Sequence, residues 1–459
     1  MWLQAFRPAL VIVATITATL AAQDAPRLPN RGAVVLYENA RLIPGDGQPA
    51  IERAALLVRD GRISRVGRAG DVGLPDGAAR VDLAGKTIIP TLINVHTHVG
   101  FQRGATYARE NYGREAILDD LNRALYFGIT AVVSQGIDPG DIAFRIRAEQ
   151  AGGTLGGARL FVAGRGIGFP NAGPGADTYR GIAYSVTTPG EGRQAVREQA
   201  AQKVDLIKIW VDDRNGRAPR MTADVSHAII DEAHKSGLKV NAHVFYLSDV
   251  TDLTNAGIDG FAHLARDKEL DDATVQAIVR RGVTVMTTLG TPERTTHTSL
   301  PPGLGAWFDG PVRDAAPPAM IDRVKAGFSG RDDATASGNR ERYAILQRTV
   351  AKLAKAGAKI ALGSDTGIQD HPFGMTEHRE LELLVEAGLT PMQAIAGATS
   401  TGAAYLGLKD EGVLAVDHAA NFVVLDANPL DDITNTRRIA RVFVRGREID
   451  RASLAARLH

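Results

Sequence analysis

His96 and His98 stand one residue apart at the end of the apolar run Thr87-Ile-Ile-Pro-Thr-Leu-Ile-Asn-Val-His-Thr-His98. Alternate residues of a strand share a face, so a single cation could take both imidazoles from one rigid element. Neutral imidazoles suit zinc and related divalent ions. Four more such groups end strand-like runs. They are Lys208 in Asp205-Leu-Ile-Lys-Ile-Trp-Val, His243 in Asn241-Ala-His-Val, His263 in Phe261-Ala-His-Leu, and Asp365 in Ala361-Leu-Gly-Ser-Asp-Thr-Gly. The chemistry open to this set is hydrolysis by a metal-activated hydroxide, with Asp365 as metal ligand and general base.

Each residue also has a plainer reading. Lys208 lies in an apolar run, where an unpaired ammonium is costly, so it either pairs with Asp212 or Asp213 or reacts with carbon dioxide. The resulting carbamate would carry two anionic oxygens able to bridge two cations. A lone histidine at a strand end is more often a hydrogen-bonded core residue, and Asp365 could cap the following helix. His227 and His234 fall on a helical stretch and read as structural or solvent-facing. Tyr246, Arg266 and His371 follow candidate ligands closely and are taken as substrate contacts by position, with Phe373 a further candidate for the pocket wall. Gly164-Arg-Gly-Ile-Gly168 resembles a phosphate loop only superficially. No Gly-x-Ser-x-Gly elbow occurs, which disfavours a serine hydrolase.

Elements that could bring these groups together follow from the pattern around them. From Thr87 to about Gly407 short apolar runs alternate with helical stretches such as Ala223–Lys235 and Asp271–Arg281. The strand candidates are Ile88–His98, Thr130–Gln135, Arg159–Ala163, Asp205–Val211, Lys239–Val244, Gly260–Leu264, Thr284–Leu289 and Lys359–Asp365. Eight such units predict an α/β fold, a (β/α)8 TIM barrel, whose functional groups sit at the C-terminal ends of the strands. The stretch Gly290 to Arg340, rich in Pro and Gly, is long for a connection and reads as a lid or binding segment. Both chain ends are β-rich, with a hairpin signal at Asp60-Gly61, and predict one small β-sandwich domain built from both termini. The expected divisions are 1–22, a signal peptide; 23–87 and 411–459, the two parts of the sandwich; and 88–410, the barrel.

Composition sets the outer limits. The 459-residue chain carries a formal net charge of +1, so it shows no basic footprint for nucleic acid. It has no cysteine, which removes thiolate metal sites and a thiol nucleophile. Arg7, an uncharged run from Pro8 to Leu20 and Ala21-Ala22-Gln23 follow the order of a secretory signal. The run is shorter than the ~20 residues of a spanning helix, so an exported, periplasmic or secreted protein without a stable membrane anchor is expected. Assembly into a homo-oligomer is left open.

On these residues the chain resembles the amidohydrolase superfamily, in the branch with a binuclear metal centre and a carboxylated lysine. The likeness extends to the split sheet domain and the closing Val423-Val-Leu-Asp-Ala-Asn-Pro-Leu. Within the superfamily it is most similar to the imidazolonepropionase-related and Xaa-Pro-dipeptidase-like group. The resemblance implies that His96 and His98 hold one metal, His243 and His263 the second, Lys208 bridges both as its carbamate, and Asp365 is ligand and base. The implied cofactors are two divalent ions, zinc foremost, and the implied reaction is cleavage of an amide bond in a small molecule. The sequence departs from the family at Pro90-Thr-Leu-Ile-Asn94, where Pro-Gly-Leu-Ile-Asp is usual, and at Ala420-Asn421, where Ala-Asp is common. A lactonase or phosphotriesterase on the same metals is the alternative. A mononuclear deaminase leaves Lys208 without a task, and a non-catalytic scaffold is least favoured.

Overall fold

A computed structural model describes residues 34–173, 177–213 and 216–458; the signal-peptide expectation for residues 1–22 lies outside them. Eight parallel strands run through the middle of the chain: β1 (Leu92–Thr97), β2 (Ile129–Ser134), β3 (Arg159–Val162), β4 (Ile207–Trp210), β5 (Val240–His243), β6 (Gly260–Ala262), β7 (Thr284–Met286) and β8 (Lys359–Ala361). Strands β1 to β3 form one ladder and β4 to β8 another, every pairing parallel. Asp205 N donates to Val162 O at 2.9 Å between the two ladders. At the other side Val95 N reaches Leu362 O at 2.9 Å and Asp365 N reaches His96 O at 3.0 Å, so the first and last strands are also bonded. Helices alternate with the strands, which is the arrangement of a TIM barrel.

The run Ile88–His98, read above as one strand, is two. Thr87–Pro90 pairs antiparallel with Phe422–Leu425 near the C-terminus, and the chain then re-enters the barrel at Leu92. Pro90 has no N–H to carry the ladder onward, and Thr91 N turns to Asn421 O at 3.2 Å. Together with Val34–Leu42, Ile51–Arg59, Arg62–Arg68, Ala79–Asp82, Ile439–Val444 and Arg447–Glu448 these strands make one eight-stranded sheet from both chain ends. Its edge curls back: Ile63 N donates to His418 O at 2.9 Å, and Asp417 N to Ile63 O at 2.8 Å. The curl encloses Tyr37, Phe422 and Phe443, the two phenylalanine rings stacked at 4.4 Å. Asp60 and Gly61 both take positive φ, +50° and +78°, as a type I′ hairpin requires.

The long connection after β7 is ordered by its own packing. It carries the helices Gly290–Glu293, Leu304–Asp309 and Pro318–Ala326 before the long helix Asp333–Lys355. Leu304, Trp307, Phe308, Met320, Ile321 and Val324 bury its apolar side in the main core, a helical spacing within a stretch that its Pro and Gly content marks as loop. Among the described residues no helix is long and apolar enough to cross a membrane.

Candidate metal centre

Strand alternation and register bring the six strand-end groups to one rim, where all of them line a single cavity of about 190 Å³. His96, His98 and Asp365 are the tightest part: each offers a ligand atom, and these atoms lie within 4.8 Å of one another. Asp365 Oδ1 is 2.9 Å from His98 Nε2 and 3.4 Å from His96 Nε2. The His263 ring lies 5.1 Å from that of His96 and 4.5 Å from that of His243. His263 and Asp365 sit just beyond their strands with left-handed backbones, φ +78° and +57°, a conformation costing about 1–3 kcal/mol for a residue with a side chain. Backbone bonds from His263 N to Met286 O and from Asp365 N to His96 O hold them there. Thr288 Oγ1 meets His263 Nδ1, which turns the other ring nitrogen toward the cavity.

Lys208 is fully buried, its amine 3.4 Å from His96 Nε2 and 3.3 Å from Gln135 Oε1. The two carboxylates considered as its partners have contacts of their own. Asp212 lies 3.4 Å from His243 Nε2, and Asp213 accepts the Tyr246 hydroxyl at 2.8 Å. Room for the lysine stem depends on Gly136 (φ +86°), where a Cβ would come within 2.7 Å of Lys208 Cγ. Burial pulls the Lys208 amine down to about 7, against the pull of Asp365. Burial likewise drives His96 and His263 well below the usual imidazole range and lowers His98, which keeps them in the neutral form that binds metal. Desolvation alone would raise the Asp365 carboxyl; the surrounding imidazoles, with the His98 hydrogen bond, outweigh it and hold the group ionised. Buried neutral imidazoles and an ionised carboxylate within one ligand sphere fit a divalent cation.

The three proposed substrate contacts are not among the lining residues. At Tyr246 the chain turns into helix Leu247–Ala256, so its hydroxyl goes to Asp213 and its ring lies 4.6 Å from the Arg220 guanidinium. Arg266 is drawn over the Phe245 ring at 5.1 Å, and His371 is buried where the chain folds back on Gly367. Phe373 is buried without lining the cavity either. His227 and His234 are half-exposed, each 2.9 Å from an aspartate, Asp252 and Asp259. The wall is completed instead by Tyr107, Ile137, Tyr179, Trp210, Arg294, Ile368 and Gln369. Trp210 was within reach of the sequence, being two residues beyond Lys208 on the same strand. Tyr107, Tyr179 and Arg294 come from loops without periodicity.

Comparison with known proteins agrees with this geometry. An uncharacterized protein of Mycobacterium tuberculosis is 27% identical over 371 residues, covering 80% of this chain and 84% of that one. An imidazolonepropionase of Klebsiella pneumoniae is 27% identical over 437 residues, 86% and 92% of the two chains. The structure of a Xaa-Pro dipeptidase with methionine bound in its active site superposes with a TM-score of 0.71 at 23% identity, covering 91% of this chain and 100% of that one, and so shares the fold. Residues 87–449, from the first strand-end histidines through the returning terminal sheet, match the amidohydrolase family model, and the chain belongs to that family.

Proposed function

We propose that this amidohydrolase, an enzyme acting on carbon–nitrogen bonds, cleaves an amide in a small molecule with two divalent metal ions, zinc foremost. His96 and His98 would hold one ion and His243 and His263 the other, with Asp365 and a carbamate on Lys208 completing the set. The observation that carries the reading is the fully buried Lys208 amine, which lines the cavity 3.4 Å from a ligand imidazole and 3.3 Å from Gln135 Oε1. An amine so placed adds to carbon dioxide, forming the N–C bond and releasing one proton, and so becomes an anionic ligand. Bound ions at such a site lower the pKa of water and polarise a carbonyl oxygen. Asp365, ionised and facing the cavity, takes the proton from the attacking water and delivers it to the leaving nitrogen. Amide nitrogens leave poorly, so the second transfer matters as much as the first.

Metal analysis of the purified enzyme is expected to give close to two divalent ions per chain, and exhaustive chelation to abolish activity. Labelled bicarbonate followed by carbon NMR should yield a carbamate signal that Lys208→Ala loses. Activity that survives chelation defeats the proposal. A screen of dipeptides, N-acyl amino acids, lactones and phosphotriesters then separates amide from ester hydrolysis. We also take residues 88–410 as the catalytic barrel and the curled sheet of 23–87 and 411–459 as a β-sandwich-type domain. Export after cleavage near Gln23 is part of the same proposal, checked by N-terminal sequencing of the protein from periplasmic and medium fractions.

A further inference from the structure

A lysine carbamate is planar through the same resonance that flattens a peptide, so the direction of its one N–H fixes both of its oxygens. The end of β2 supplies a partner for that N–H. Gln135, the first residue beyond the strand, is fully buried and does not line the cavity. Its backbone N–H donates to Thr97 O at 2.9 Å, and its side-chain Nε2 donates to Val95 O on the strand of His96. The same Nε2 lies 3.5 Å from Met286 Sδ. With the nitrogen committed to that side, the amide turns its Oε1 to the other, 3.3 Å from Lys208 Nζ. Gly136, beside it, leaves the lysine stem its room. One turn of chain thus provides both the space for Lys208 and an acceptor for its nitrogen.

Addition of the amine to carbon dioxide forms one N–C bond, moves a carbon–oxygen π pair onto oxygen and releases one proton. The nitrogen keeps a single N–H, and a buried N–H without an acceptor is costly. Among the described residues the amine has two hydrogen-bond partners, Gln135 Oε1 and, at 3.4 Å, His96 Nε2. His96 Nε2 also lies 3.4 Å from Asp365 Oδ1, on the side where the two residues would share an ion. That leaves Gln135 for the N–H. A carboxylate in its place would hold the lysine as an ammonium, which has no lone pair with which to attack carbon dioxide. An amide carbonyl accepts the N–H and adds no charge. We propose that Gln135 is the positioning residue of the Lys208 carbamate, accepting its remaining N–H and so fixing the plane in which the two anionic oxygens meet the metal ions. This rests on the carbamate proposed above and assigns the residue that orients it.

The test uses the purified full-length, zinc-loaded enzyme, freed of carbon dioxide and titrated with carbon-13 bicarbonate. Gln135→Leu keeps the bulk of the side chain and loses the acceptor, and Gln135→Asn draws the carbonyl back by one carbon. In Gln135→Leu the carbamate carbon signal is expected to need about tenfold more bicarbonate to reach half its full height, the equivalent of about 1.4 kcal/mol. Gln135→Asn is expected to shift in the same direction. In both, kcat should rise with bicarbonate along the same curve as the signal, while KM stays at the wild-type value. Should Gln135→Leu fail to fold, Gln135→Asn decides. A Gln135 that merely braces the barrel would lower the melting temperature and leave the bicarbonate dependence of signal and kcat alone, and that result overturns the inference. Variants that titrate as the wild type does would defeat this inference and spare the carbamate. A wild type that gives no carbamate signal would defeat the carbamate, and the inference with it.

Discussion

The two walls of the cavity are built by different physics. The strand-end wall is six side chains on a hydrogen-bonded barrel, and its positions follow from strand register. The loop wall takes Tyr107, Tyr179, Arg294 and Gln369 from separate connections that meet only in the folded molecule. Chemistry common to a whole family belongs on the first wall, because register cannot drift without losing the core. Substrate choice belongs on the second, where a loop can change without disturbing the barrel.

The comparison is broken most severely at Asp365. Asp365→Asn keeps the shape of the side chain but removes both the anionic ligand and the proton acceptor. A fall of about 10³-fold or more in kcat is expected on every substrate, with the far-ultraviolet circular dichroism unchanged. A loss confined to some substrates would mean that this wall, too, selects.

Legibility in the sequence divides along the same line. His96, His98, Lys208, His243, His263 and Asp365 could be read because a strand leaves a pattern, a short apolar run with a polar residue where it ends. The eight strands could be read for the same reason, and the one that failed, Ile88–His98, failed because two sheets share one apolar run. Tyr246, Arg266 and His371 were chosen by nearness in sequence to a ligand. Past the end of a strand that nearness carries no direction, since the chain turns into a helix or folds back within a few residues. Arg294 falls in the Gly290 to Arg340 stretch read as a lid or binding segment, but nothing in its immediate neighbours singles it out. Its place depends on Asp370 and Arg323, far along the chain, closing over it.

Beneath the loop wall, Asp138 tests how the loops are anchored. Its Oδ1 accepts from Ser134 Oγ at 2.7 Å and Tyr112 Oη at 3.3 Å, while Oδ2 is buried without a partner. Burial raises the carboxyl to about 7 despite those two bonds. Because the folded value lies above the unfolded one, the protonated form is the one the fold favours. Its contribution is complete below about pH 4 and is lost as pH rises through about 7. Asp138→Asn removes that loss. Urea unfolding at pH 5 and pH 8 should show the variant gaining on the wild type with rising pH, by about 2–3 kcal/mol across the interval. Parallel behaviour of the two proteins would mean the carboxylate is better solvated than its burial suggests.

A smaller effect is expected at Thr288, which acts on the strand-end wall only through His263. Thr288→Val preserves shape and removes the bond to His263 Nδ1, freeing the ring to rotate. Metal affinity, measured against a competing chelator, is expected to fall about 10–100-fold. The hydroxyl also donates to Thr287 O at 2.8 Å, so the metal-free protein is expected to lose about 1 kcal/mol of stability as well. A metal affinity left unchanged would make Thr288 a packing residue and nothing more.

The smallest effect concerns two tyrosines, and its sign is what matters. Tyr179 and Tyr405 are both buried, but the Tyr405 hydroxyl bonds to Asn241 Oδ1 while that of Tyr179 has no partner among the described residues. Tyr405→Phe leaves a buried acceptor unsatisfied and should cost about 1–2 kcal/mol of stability. Tyr179→Phe removes a donor that has no partner among the described residues, so stability should hold or rise by up to about 1 kcal/mol. Its 6.3 Å ring contact with His98 and its edge contact with Phe101 at 5.1 Å survive the change. Any loss from Tyr179→Phe should therefore show in the KM of the substrate whose cavity it lines, and not in the melting temperature. If Tyr179→Phe melted lower, as Tyr405→Phe should, the hydroxyl would belong to the fold, and the loop wall would be less free to serve a ligand than its open donors imply.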